Sequence, residues 1–133
     1  MKLIPLTLAA LMLAVPTFAL EPINEEKTIN DTLRQGFIAD AIADNCPTMQ
    51  PRKLRALNEL LKLRDYALGR GYSAAELRAF VESKTEKARG KAEAAEWLAD
   101  KGAVAGKADA YCTVGEAEIA QGSLIGRLLR STK

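Results

Sequence analysis

The chain has 133 residues, 19 basic and 17 acidic, a net charge of +2 at neutral pH, and no histidine. That balance gives no electrostatic support for nucleic-acid binding. Without histidine there is no His-based triad and no histidine-ligated zinc or haem; two cysteines outside any CxxC or CxxCH also argue against thioredoxin-like sites, c-type haem and a four-thiolate iron–sulfur cluster.

The first segment, 1–19, reads as a secretory signal peptide. Met1-Lys2 is a short basic start, residues 3–15 are apolar, and Thr17-Phe18-Ala19 places small residues at −3 and −1 of a cleavage site after Ala19. It is too short for a confident membrane span, which takes about 20 apolar residues. No lipobox is present, since the first cysteine is Cys46. The expected product is a single helical domain, 20–133, exported to the periplasm, where disulfides form.

Four helices are expected in it. The first covers 28–44, where Ile29, Leu33, Phe37 and Ala41 recur every four residues and Ile38 and Ile42 widen the stripe. Asn45-Cys46-Pro47 ends it, because the residue before proline resists the helical region. The second covers 51–68, with Pro51 in its first turn. Leu54, Leu57, Leu60, Leu61 and Ala67 form its expected buried face, and Gly69-Arg70-Gly71 supplies a glycine for a left-handed cap. The third covers 73–100. Ser73 and Glu76 form a capping box, Gly90 marks a bend at a cost of about 1 kcal/mol relative to alanine, and an alanine run predicts close approach of a neighbour. The fourth covers 108–121, with Tyr111, Val114 and Ile119 as its larger apolar residues. Ser123 then caps a short helical turn with Leu124, Ile125, Leu128 and Leu129. No strand pattern is visible. The fold class is therefore all-α: a small four-helix bundle plus a short C-terminal helical turn.

Cys46 follows the first helix and Cys112 lies early in the fourth. In an oxidising compartment the expected state is a structural Cys46–Cys112 disulfide, worth roughly 4 kcal/mol for a loop of this length. Free thiols or an intermolecular bond are the alternatives.

Charge is uneven. Six acids and two bases lie in 21–44, six bases and two acids in 52–70. One reading pairs an acidic first helix with a basic second helix inside the fold. The other makes Arg52, Lys53, Arg55, Lys62 and Arg64 a patch for an acidic partner or anionic lipid. The tail 124–130 is amphipathic and basic through Arg127 and Arg130; it either closes the core or contacts a membrane surface. Glu116 and Glu118 are two apart on a helix and do not face each other, and Glu93 and Glu96 sit among alanines and lysines. No pair is placed for acid–base work, and no cofactor or metal site is expected.

Taken in order, Asn45-Cys46-Pro47, Leu68-Gly69-Arg70-Gly71-Tyr72-Ser73 with Glu76, Glu86-Lys87-Ala88-Arg89, Tyr111-Cys112 with Gly115 and Glu118-Ile119, and the run Ser123-Leu124-Ile125-Gly126-Arg127-Leu128-Leu129 resemble a family of small exported helical proteins of unknown function with two cysteines in alphaproteobacteria of the Rhodobacter and Paracoccus kind. The resemblance covers most of the chain from the first helix to Arg130. It implies an association with respiratory NADH dehydrogenase, though two cysteines are too few for that enzyme's small cluster subunit and a signal peptide leads to the other side of the membrane. The resulting expectation is a non-catalytic periplasmic interaction or accessory protein, with Arg52, Lys53, Arg55, Arg127 and Arg130 as candidate partner-binding residues. The alternative is a carrier of a small apolar ligand, in a cavity lined by Leu57, Leu61, Phe80 and Trp97.

Overall fold

A computed structural model describes Ala14 and residues 19–133. The signal peptide expected at 1–19 and its cleavage site lie almost wholly outside these residues. The chain runs α1 (Lys27–Asn45), β1 (Met49–Pro51), α2 (Lys53–Arg70), α3 (Ala74–Glu82), α4 (Lys84–Ala99), α5 (Ala108–Gln121), α6 (Leu124–Arg127) and β2 (Leu129–Ser131). The architecture is all-α, as the periodicity implies, with one short strand pair added.

Helix α1 is the axis of the molecule. Its N-cap is Glu26, whose buried carboxylate accepts the Ile29 N–H at 2.6 Å and so satisfies one of the free donors of the first turn. The expected stripe forms. Ile29, Ile38 and Ile42 are buried, while Leu33, Phe37 and Ala41 are half-buried. Ile38 and Ile42 enter the main core with Leu98 of α4, Val114 of α5, and Ile125 and Leu128 of the tail. Ile29 enters a second, smaller core with Leu63 and Ala67 of α2, Tyr72 and Phe80. The tail therefore closes the main core through its apolar residues, and Arg127 and Arg130 remain exposed.

The cysteines are bonded, with Cα atoms 5.1 Å apart and a sequence separation of 66. This joins the end of α1 to α5 inside the main core, where Cys46 is buried.

Three local expectations change. The segment 73–100 is two helices. Ser83 adopts an extended conformation (φ −66°, ψ 118°), ends α3 and caps α4, with its hydroxyl accepting the Glu86 N–H at 3.2 Å. Ser83 and Glu86 repeat the spacing of Ser73 and Glu76, so a second cap competes successfully with continuation of the helix. Both halves of the box form at Ser73; at Ser83 the Glu86 carboxylate is taken by Arg89 instead. Hydrogen bonding to Glu86 holds the Arg89 guanidinium more firmly in its charged form, against the cost of desolvation. Gly90 is not a bend, since α4 runs through it unbroken. It lies against α1, where an added Cβ would sit 2.5 Å from the Phe37 ring. This is the neighbour that the alanine run anticipates, and Ala94 is buried beside it.

Pro51 is the last residue of β1 and not the first turn of α2. β1 pairs antiparallel with β2, Met49 opposite Ser131 and Pro51 opposite Leu129. A two-stranded edge tolerates a proline, which lacks only an outward donor. The Arg52 N–H then bonds the Leu128 carbonyl at 2.8 Å. The partner strand lies at the far end of the chain, with Gln50 and Arg130 80 positions apart, so nothing local announces it.

Candidate functional site

Helix α2 carries the largest departure from expectation. Of its eighteen residues only Leu63 and Ala67 are buried. Leu54, Leu57, Leu61 and Leu68 are 81%, 52%, 41% and 42% exposed, and Leu60 is also open to solvent. The face expected to be buried is therefore mostly the exposed one, Ala67 excepted. At 3.6 residues per turn, Ala56, Leu63 and Ala67 make a narrow inward stripe, and Leu54, Leu57, Leu61 and Leu68 make a second stripe on another side of the helix. The first docks on α1 and α3 because small residues let the helices approach, and Ala56 reaches the main core. The leucine stripe is left without a partner. A contiguous exposed apolar face of this kind is a candidate interaction surface.

Two features hold the helix in place. Tyr66 donates to the Glu26 carboxylate at 2.8 Å, tying α2 to the first turn of α1. At its C-terminus Gly71 takes the left-handed conformation (φ 108°) that the cap requires, the place expected for it.

The bases gather around the leucines. Arg52, Lys53 and Arg55 are exposed at the start of α2. Arg127 of α6 meets Arg55 and Lys62 across a shallow depression that Asn58 and Glu59 complete. The strand pair brings the tail to the start of α2, so the basic helix and the basic tail, read separately from sequence, form one surface. Arg130 lies apart on β2, bonded to Gln50.

The acidic first helix does not neutralise these charges. Every ion pair among the described residues is local, such as Lys62–Glu59 at 3.1 Å and Arg64–Asp65 at 3.0 Å within α2. None joins α1 to α2, and Arg52, Lys53, Arg55 and Arg127 take part in none among the described residues.

Three of the four carboxylates considered for acid–base work are separately engaged, and Glu96 is exposed. Glu118 is buried and accepts the Ser123 hydroxyl, Glu116 accepts the Ser131 hydroxyl at 2.6 Å, and Glu93 accepts from Arg89 at 3.1 Å. Among the described residues no group of three or more Asp, Glu or Cys is arranged to hold a metal ion, and no helix is long and apolar enough to cross a membrane.

The residues expected to line a ligand cavity do not meet. Phe80 belongs to the second core, Trp97 packs half-buried against the main one with the Lys101 ammonium 4.4 Å from its ring, and Leu57 and Leu61 face solvent.

A model described as a family of unknown function (DUF5333) matches residues 21–130. No curated protein and no solved structure matches the chain.

Proposed function

The chain belongs to the DUF5333 family of unknown function, and from that premise we propose that it is a non-catalytic accessory protein that works by docking a protein partner on α2. The observation that carries this is the row of exposed leucines on a helix whose other side is already packed. Fully burying an exposed leucine is worth about 1.5–3 kcal/mol, and completing the burial of this row together outweighs the exposed ion pairs.

The working location is the periplasm of an alphaproteobacterium, after removal of 1–19. A disulfide suits that compartment, and the partner is a component of an inner-membrane assembly, with a respiratory complex the first to examine. The leucines and the cluster Arg52, Lys53, Arg55 and Arg127 form the contact. Arg130, bonded to Gln50 on the strand pair, is peripheral to it.

The test is affinity capture of the tagged full chain from membrane and periplasmic fractions of its own cell. It is run beside a Leu57→Ser/Leu61→Ser variant and an Arg55→Ser/Arg127→Ser variant, and read by mass spectrometry. One complex should be enriched with the native chain and lost with the leucine variant. Identical recovery with and without the leucines removes α2 as the working surface.

A further inference from the structure

We propose that the occupant of α2 is a single amphipathic helix whose apolar seam is flanked by carboxylates. This deepens the docking reading above and rests on it.

The spacing is the first argument. Leu54, Leu57, Leu61 and Leu68 stand at intervals of three, four and seven. These are the seam positions of a heptad pattern, with Arg64 at the one position not filled by leucine. A second helix needs this straight seam, because its own side chains must enter the gaps between the leucines. A lipid surface needs only an apolar face, on which interfacial helices carry tryptophan, phenylalanine or leucine in no set register. The one aromatic residue of α2, Tyr66, is instead bonded to Glu26 on the packed side. The seam spans about 21 Å at 1.5 Å per residue, so about two heptads of partner helix cover it.

Charge is the second argument. Lys53 lies on one flank of the seam; on the other, beyond Asn58 and the Arg64-paired Asp65, stand Arg55 and, across the depression, Arg127. None of the three has an ion pair among the described residues. A second copy of this chain would bring another net-basic helix, because α2 carries five bases and two acids. Carboxylates beside the partner's seam complement all three bases, which raises the encounter rate and sets orientation.

The experiment titrates the full, oxidised chain with two synthetic three-heptad peptides. Both have a leucine seam; one is flanked by glutamates and the other by lysines. Binding is read by calorimetry. The glutamate peptide should bind at least about tenfold more tightly than the lysine peptide, a difference of about 1.4 kcal/mol. Added salt should weaken it. Leu57→Ser/Leu61→Ser should abolish it with the thermal midpoint unchanged, and Arg55→Glu should reverse the preference between peptides.

Equal binding of the two peptides, or binding of neither, overturns the acidic-helix assignment. So does Leu57- and Leu61-dependent capture by vesicles of anionic lipid, or a dimer at rising concentration that the same substitutions dissolve. Those last two outcomes leave α2 as a docking surface and change only its occupant. Sedimentation and vesicle binding that ignore Leu57 and Leu61, together with no peptide binding, overturn both readings.

Discussion

Helices α1 and α2 are nearly equal in length, nineteen and eighteen residues, and both are amphipathic. Their situations are opposite. α1 is packed by α4, α5, α6 and β1 and is pinned at its end by Cys46, and Ile29, Ile38 and Ile42 are among the largest fully buried side chains of the described residues. α2 rests mainly on α1 and α3, buries two side chains and turns its leucines outward. Two apolar helices in one small domain thus divide the work. One anchors the main core, and the other presents a leucine stripe that no other described element covers.

Substitution should separate the two most sharply. Leu98→Ala, in the main core, should lower unfolding free energy by about 2–5 kcal/mol. Leu57→Ala, on the open stripe, should change it by less than about 0.5 kcal/mol. Urea denaturation of both variants checks this, and similar losses would place α2's leucines in a buried interface already present in the free protein.

Breaking the frame covalently should have an effect of comparable size. The Cys46→Ala/Cys112→Ala pair should cost about 2–5 kcal/mol. Amide exchange followed by mass spectrometry should then show lost protection in α1 and α5. α2 should already exchange faster than α1 in the intact protein, because few buried contacts hold it. Equal protection of the two helices would contradict the division.

A smaller change probes the junction between frame and arm. Ser83→Ala removes the cap of α4 and should cost about 1 kcal/mol. Ser73→Ala, which breaks a complete capping box, should cost at least as much. Thermal melts of the two variants rank them.

The smallest effect concerns pH. Burial and the nearby Asp44 push the Asp40 carboxyl above its ordinary range, and Lys91 opposes them. The folded state therefore holds that proton more tightly than the unfolded one. Stability falls as pH rises from the ordinary carboxylate range through the raised value. Asp40→Asn should add a little stability at neutral pH and none in acid, a small gain because the residue remains exposed to solvent. Denaturation at two pH values measures it, and a loss at neutral pH would reverse the assigned sign.

Much of the fold is legible in the amino-acid sequence. The α1 stripe, the Ser73–Glu76 box, the Gly71 cap, the start of α5 and the Cys46–Cys112 pairing all follow from patterns within a few residues or from the chemistry of two thiols. The break at Ser83 is legible too, in a repeated Ser-x-x-Glu spacing and in the run 82–87, which holds no apolar residue. The site is legible only in part. Its bases and leucines stand in the sequence, and six leucines on α2 exceed what one buried face accommodates.

Local patterns of period 3.6, the cap residues and the cysteines thus determined which segments are helical, where they stop and which are bonded, because those choices depend on neighbours along the chain. The tertiary structure alone decided that Leu63 joins Ala67 on the inward side while Leu54, Leu57, Leu61 and Leu68 face out. It also decided that Arg127 stands beside Arg55, and that Pro51 pairs with a strand at the far end. An amphipathic helix offers its apolar residues to whatever is nearest, and which stripe is covered depends on how many other elements compete for the same core.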